Sequence, residues 1–410
     1  MTTESKSKTS DSLQSGVKRQ ALGNRSADEL LLDRESELDP ELSIVMPTLN
    51  EEEGIQTCLE WIKDAIEELQ VPAEIIVSDS STDRTPDIAR EMGAIVVEPD
   101  QGGYGYAYRY AFDQARGEYI AMGDADTTYD FKEIPRLLEE LERADGDMVM
   151  GSRLDGEIKS GAMPALHQHI GNPFLTRFLN AFYGAGVSDA HSGFRIFTRD
   201  AYETMDLETT GMEFASEMIM EAGAKDLEIV ETPIVYHERE GEETLESFKD
   251  GWRHVRFMLV NAPGYLFSVP GLIMGVLGML VMATAYSGGT VGGLTPGVNS
   301  MIAGSLLTIV GYQVGSFGVF AAVASDPIQK PTDPITTRIM QSLSLERGAT
   351  FGVAVFGLGG VYAGALTFQR LSAGVPSTAL TMSSIIALTA IVIGLQTLFS
   401  SFFLSAIAQK

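Results

Sequence analysis

The chain predicts an α/β domain built on a mostly parallel sheet, followed by an interfacial helix and four membrane-spanning helices. Three observations carry this expectation. From Leu42 to Gly151, short apolar runs alternate with stretches of helical length or period, the pattern of strands joined by crossover helices. From about residue 263 onward, four long apolar segments succeed one another, each able to cross a hydrocarbon core about 30 Å thick. Between the two lies a segment with one apolar stripe and one basic stripe. A chain of 410 residues has room for two or three such domains.

Residues 1–40 are rich in Ser, Thr, Lys and Asp. They lack the apolar core of a signal peptide and read as a disordered arm. Within the domain expected over 41–245, strands are placed at Leu42–Met46, Glu74–Val77, Ala94–Val97, Tyr119–Met122 and Met148–Met150. Helices are placed at Glu52–Gln70, Pro86–Met92, Tyr104–Ala115 and Ile134–Ala144. Pro86 suits the first turn of a helix capped near Asp83 or Thr85. Residues 152–245 are less regular, with clustered Gly, Pro, His and Asn and one further strand at Glu228–Val230. Leu245–Asn261 is helix-like, and 246–262 is set apart as an amphipathic interfacial element. Phe248, Trp252, Val255 and Leu259 make its apolar stripe, with Lys249, Arg253 and Arg256 alongside. A basic flank just before a hydrophobic span suits the membrane surface; a buried helix of the soluble core is the alternative.

Spans are expected at about Phe267–Tyr286, Met301–Ala324, Thr350–Phe368 and Ser383–Ala406, within a membrane domain over 263–410. Their glycines suit close helix packing. The first connecting loop carries no charge, the second carries Lys330, Arg338 and Arg347, and the third carries Arg370. The positive-inside rule then puts the second loop, both termini and the α/β domain in the cytoplasm.

Acidic residues outnumber basic ones 56 to 29, a net charge of −27. This opposes a nucleic-acid partner, which needs a basic face. The excess is spread over the soluble part, as expected for a surface adapted to a high-salt cytoplasm, where screening tolerates self-repulsion. A single cysteine, Cys58, excludes an internal disulfide.

Chemistry gathers at the carboxyl ends of the first strands, the edge where α/β sheets bind ligands. Tyr119–Met122 runs through Gly123 into Asp124-Ala125-Asp126. Two hard oxygen ligands there suit a divalent cation, Mg²⁺ or Mn²⁺, that neutralises a diphosphate. Asp145-Gly146-Asp147 repeats the doublet but precedes its strand, and so lies at the wrong edge. The first strand ends in Pro47-Thr48-Leu49-Asn50-Glu51-Glu52, and the second in Ser78-Asp79-Ser80-Ser81-Thr82-Asp83. Gly102-Gly103-Tyr104-Gly105 follows the third. The simplest ligand for this edge is a nucleotide, with Asp79 on base or ribose and the glycines admitting close backbone approach. A redox dinucleotide is disfavoured, since the strand-to-helix G-x-G-x-x-G pattern and the P-loop are both absent. His167, His169 and His191 lack the spacing of a zinc site. Glu213 and Glu217, one helical turn apart, are either an acid–base pair or part of a helix near the acceptor channel.

Ser43-Ile44-Val45-Met46-Pro47-Thr48-Leu49-Asn50-Glu51, the Asp79–Thr85 turn, Gly123-Asp124-Ala125-Asp126, Gly151-Ser152-Arg153 and Ser192-Gly193-Phe194-Arg195 occur in this order. With them the chain resembles family-2 glycosyltransferases of the GT-A fold, a Rossmann-like nucleotide-sugar domain. Within that family it is similar to the polyprenyl- or dolichol-phosphate hexosyltransferases of haloarchaea. The resemblance covers roughly Leu42–Pro263, and the membrane helices extend it. It implies transfer of one hexose from a UDP- or GDP-sugar to dolichyl or polyprenyl phosphate on the cytoplasmic face. Transfer would be metal-dependent and inverting and would feed protein or surface glycosylation, with homo-oligomerisation left open.

The resemblance further implies that Pro47, Asn50, Glu51, Asp79, Asp83 and Asp124 contact the nucleotide sugar. Asp124 and Asp126 would serve the metal, and Asp126, Asp189, Arg153 and Arg195 form the catalytic set. Arg153 and Arg195 would hold the lipid phosphate or the diphosphate, and the basic stripe of Lys249, Arg253 and Arg256 adds further candidates for the lipid phosphate. Dolichol-phosphate mannose synthases continue the doublet with Leu-Gln; Thr127-Thr128 stand here, which leaves the third ligand open. A processive polysaccharide synthase would carry a Gln-x-x-Arg-Trp motif, which is absent. A non-catalytic scaffold would have lost ligands such as Asp124, Asp126, Arg153 and Arg195, and all four are present.

Overall fold

The computed structural model describes residues 25–241, 247–290, 292–293, 295–324, 345–373 and 381–407. The chain divides into two units, Met1–Met258 and Leu259–Lys410.

The first unit is built on seven strands: β1 (Leu42–Thr48), β2 (Ala73–Asp79), β3 (Ile95–Val97), β4 (Tyr119–Met122), β5 (Met148–Ile158), β6 (Arg195–Thr198) and β7 (Ile229–Tyr236). Their order is β3-β2-β1-β4-β6-β5-β7. All neighbours are parallel except β6, which runs antiparallel to both β4 and β5. The expected mostly parallel sheet is therefore present. The registers Thr48↔Asp79 and Val45↔Met122 bring the carboxyl ends of β1, β2 and β4 side by side.

The connecting helices are α1 (Ala27–Leu30), α2 (Ile55–Leu69), α3 (Thr85–Glu91), α4 (Tyr104–Phe112), α5 (Ile134–Ala144), α6 (Asn172–Tyr183), α7 (Arg199–Thr204), α8 (Phe214–Ala224) and α9 (Ser247–Val260). Strand side chains alternate between the two faces. Leu42, Ile44, Met46, Ile75, Val77 and Ala121 share one core with Ile55, Leu59 and Ile62 of α2 and Leu137, Leu138 and Leu141 of α5. On the opposite face, Phe112 of α4 meets Phe197 of β6 edge-on at 5.3 Å, and Phe214 of α8 stacks on Tyr108 at 5.7 Å.

Several expectations are corrected. Residues 25–40, read as part of a disordered arm, pack on the sheet. Ala27 and Leu30 are buried, Leu31 bridges Ala73, and Arg116 Nη2 donates to the Asp33 carbonyl at 2.8 Å. Two apolar side chains and a long-range arginine offset the polar composition; residues 1–24 lie outside the described residues. Strand β5 runs to Ile158 instead of Met150, because β7 is longer than the expected Glu228–Val230 and pairs with it. Strand β6 lies where no strand is expected. Helix α3 starts one residue before Pro86, and Asp83 Oδ1 accepts from Thr85 N–H at 3.0 Å and Thr85 Oγ1–H at 2.6 Å.

Helix α9 covers most of the expected 246–262 segment. Trp252 is 59% exposed, whereas Met258 is buried and His254 half-buried. Arg253 and Arg256 are exposed; the side chains of Phe248 and Lys249 lie outside the description.

Among the described residues, the second unit holds four helices long and apolar enough to cross a membrane: α10 (Val269–Ser287), α11 (Val298–Ala324), α12 (Leu345–Ala373) and α13 (Thr381–Ile407). Glycines let the backbones touch. A Cβ at Gly311 of α11 would lie 2.4 Å from Gly275 N of α10, and one at Gly394 of α13 would lie 2.3 Å from Phe356 N of α12. This is the close packing small residues permit in apolar surroundings. Ser305 and Thr389 hydroxyls, 2.6 Å apart, join α11 to α13. Lys330 and Arg338, two of the charges on which the orientation reading rests, lie outside the described residues.

Candidate active site

Asp124 follows β4 by two residues and is half-buried. Its Oδ1 accepts from Tyr104 Oη at 2.9 Å and Tyr108 Oη at 3.3 Å. Asp126 Oδ1 accepts from Thr128 N at 3.2 Å and Thr128 Oγ1 at 2.5 Å. Thr127 takes the left-handed conformation, φ 62°, and turns the chain there. Burial, and then the charge of Asp126, push the Asp124 carboxyl up to about 7. A buried carboxylate raised beside a second carboxylate forms a pair of hard oxygen ligands whose charge a divalent cation would offset. Asp124 and Asp126 therefore fit a metal. Thr128 is engaged with Asp126, in the place where a third ligand is sought.

Arg239, which follows β7, was not singled out in the sequence. Its Nη2 donates to Glu51 Oε1 at 2.8 Å, and its Nε lies 3.8 Å from Asp126 Oδ2. Glu51 is raised by burial, against the pull of Arg239. Its signal lay in a strand that reads too short to place Arg239 at this edge.

The β1 and β2 ends interlock. Thr48 Oγ1 donates to Asp79 Oδ1 at 2.7 Å, and Ser81 N to Asp79 Oδ2 at 3.3 Å. Asn50, at φ 60°, accepts from Thr82 N at 2.9 Å, while Asp83 accepts from Glu52 N at 3.3 Å. Burial would raise the Asp83 carboxyl, but the hydrogen bonds it accepts from Thr85 and Glu52 together outweigh burial and lower it. Pro47 sits within β1, opposite Ser78. The Gly102–Gly105 turn is used otherwise than expected. A Cβ at Gly103 would lie 2.2 Å from Thr210 O, and one at Gly105 2.8 Å from Thr209 O. The glycines admit the chain's own 209–211 segment.

Arg153 and Arg195 are both engaged inside the fold. Arg153 Nε and Nη2 grip Asp189 Oδ2 and Oδ1 at 2.7 and 2.9 Å, and the guanidinium lies 5.3 Å over the Tyr236 ring. Arg195 is fully buried, its Nε and Nη2 donating to the carbonyls of Ser192 and Ala190 at 2.9 and 3.1 Å. Its Nη1 is buried without a partner among the described residues, and burial lowers its pKa to about 10. The two arginines thus brace the 189–195 loop. Gly193 in that loop faces the doublet: a Cβ there would lie 3.2 Å from Asp124 Oδ2.

His191 also belongs to this loop. Ser216 Oγ lies 3.3 Å from His191 Nε2 and 2.9 Å from His254 Nδ1, joining the loop to α8 and α9. Burial, and then His254, lower His191 to about 3, so it is neutral. Glu217 accepts from Glu208 N and the backbone and hydroxyl of Thr209 at 2.6–3.2 Å. It is a tether for the 208–209 turn, which removes it from an acid–base pair with Glu213.

The family model for glycosyl transferase family 2 matches residues 43–206, and that for the family-2 C-terminal transmembrane region matches residues 319–408. The low-salt glycan biosynthesis hexosyltransferase Agl6 of Haloferax volcanii is 59% identical over 386 residues, 94% of each chain. A dolichyl-phosphate hexose transferase of the same organism is 35% identical over 213 residues, 52% of this chain and 89% of its own. Among solved structures, glucosyl-3-phosphoglycerate synthase from Mycobacterium tuberculosis aligns with 56% of this chain and 86% of its own, at 19% identity and a TM-score of 0.44. Strand-end carboxylates, membrane spans and this full-length similarity converge: the chain belongs to glycosyltransferase family 2 and is a membrane glycosyltransferase.

Proposed function

We propose that the protein transfers one hexose from a UDP- or GDP-sugar to dolichyl or polyprenyl phosphate at the cytoplasmic membrane face, with Mg²⁺ or Mn²⁺ bound. The observation that carries this reading is the placement of Asp124 and Asp126 on the same sheet edge as the Thr48–Asp79 pair. The names of the two relatives support a hexose and a lipid-phosphate acceptor. The product would feed protein or surface glycosylation.

A phosphate monoester has a second pKa near 6 and is already a nucleophile at neutral pH, so a strong general base is not required. Its oxygen attacks the anomeric carbon as the carbon–oxygen bond to the diphosphate breaks. The bonding pair leaves with the nucleoside diphosphate and the sugar carbon inverts. Asp124 and Asp126 would hold the metal, which would supply charge stabilisation for that leaving group. Asp79 and the Asn50–Asp83 turns orient the nucleoside. Arg239 takes the phosphate-facing role at the doublet, with Arg253 and Arg256 offering charge to the lipid headgroup. Arg153, Asp189 and Arg195 hold the loop that carries Gly193.

Membranes containing the protein, incubated with labelled nucleotide sugars and polyprenyl phosphate, should form an acidic glycolipid from one sugar class. The product should vanish with chelator and return with Mg²⁺ or Mn²⁺. Asp126→Asn should lower turnover by roughly a hundredfold or more with the fold intact. Undiminished transfer by Asp126→Asn would refute the site.

A further inference from the structure

Asp124 presents its two oxygens unequally. Oδ1 accepts from two phenols, Tyr104 at 2.9 Å and Tyr108 at 3.3 Å. Oδ2 faces Gly193, whose Cβ, were there one, would lie 3.2 Å away. Tyr104 and Tyr108 are one turn apart on α4, on one face. Their rings are fixed: they meet edge-on at 5.1 Å, and the fully buried Tyr108 stacks on Phe214 at an interplanar angle of 8°. Gly193 is fixed too, donating its N–H to Tyr129 Oη at 2.8 Å.

We infer that Tyr104 and Tyr108 are positioning residues that make Asp124 a one-oxygen ligand and so set which divalent cation the site accepts. The inference rests on the reading that the doublet holds a metal. With both acceptor sites of Oδ1 taken by phenols, Asp124 chelates through both oxygens only by surrendering at least one of them. Mg²⁺ demands octahedral geometry with short bonds, whereas Ca²⁺ takes six to eight ligands and accepts bidentate carboxylates. A carboxylate confined to one oxygen therefore favours the smaller ions. Partners that orient a ligand commonly contribute tenfold or more to metal affinity.

The test uses the full-length protein in detergent, with Mn²⁺ binding followed by electron paramagnetic resonance in the presence of UDP or of GDP. Ca²⁺ is then titrated as competitor. The double variant Tyr104→Phe/Tyr108→Phe keeps both rings, and thermal unfolding reports its integrity. It should bind Mn²⁺ roughly tenfold more weakly, and Ca²⁺ should displace Mn²⁺ at a lower concentration. Tyr104→Phe alone should have the larger single effect, since its hydrogen bond is shorter. Unchanged Mn²⁺ affinity and unchanged Ca²⁺ competition in the double variant, beside a wild type that binds Mn²⁺, overturn the inference and leave the metal reading standing. A wild type that binds no Mn²⁺ with either nucleotide overturns both.

Discussion

Asp189 is fully buried and accepts three hydrogen bonds from Arg153, at 2.7, 2.9 and 3.1 Å. Burial alone would raise its carboxyl, but the guanidinium outweighs burial and holds it below the ordinary 3.8. A depressed carboxylate contributes stability that is complete above its unfolded pKa and lost as pH falls through its folded one. Asp189→Asn leaves Arg153 buried and uncompensated, a change worth about 3–5 kcal/mol. Urea unfolding at pH 7 should show a loss of that order, and the gap to wild type should narrow below pH 3.8. A gap independent of pH would mean the pair is not ionised. This pair also shows where residue-level reading stops. Asp124 and Asp126 were legible because strand alternation locates a strand's end. Arg153 reads as an anion binder because its partner lies 36 residues away, beyond any local pattern. Tyr104 and Tyr108 lie in an expected helix, and nothing local announces that their hydroxyls meet Asp124.

Elements with strong periodicity emerged at nearly the expected bounds, and α5 at the same bounds, because an amphipathic helix writes its own pattern. Strand β6 escaped because Arg195-Ile196-Phe197-Thr198 has no polar alternation and begins with a buried arginine. It is a strand because β4 and β5 pair with it on either side. In the second unit, packing through glycine makes a sharp prediction. Gly311→Val would drive Cβ to 2.4 Å from Gly275 N and 2.7 Å from Gly271 O, backbone atoms that cannot rotate away. The α10–α11 pair should separate, with a lower unfolding temperature in detergent. Gly315→Ala on the same helix meets nothing within 4 Å and serves as the control. Since Ala and Val both favour a helix over Gly, equal loss in both variants would mean that the close approach at Gly311 is not what holds the pair.

Across the whole molecule the charge is divided. Beyond residue 263 the chain carries Asp326, Asp333 and Glu346 against Lys330, Arg338, Arg347, Arg370 and Lys410. The entire acidic excess behind the net charge of −27 therefore lies in the preceding part. Exposed carboxylates spaced over one compact unit repel one another, and the repulsion is relieved as the Debye length falls from about 10 Å at 0.1 M salt to about 3 Å at 1 M. The unfolding temperature of the α/β unit should accordingly rise with KCl over that range. Salt also strengthens apolar burial, so the charge effect needs its own control. Glu67, Glu68, Glu91 and Glu139 are exposed on α2, α3 and α5. Changing all four to Lys shifts the net charge by eight, two for each substitution, without touching the sheet edge. If repulsion sets the salt demand, this variant at 0.1 M KCl should match wild type at several-fold higher salt, and its unfolding temperature should depend less on KCl. An unchanged slope would place the salt requirement in apolar burial, and the acidic surface would then have to be explained by solubility alone.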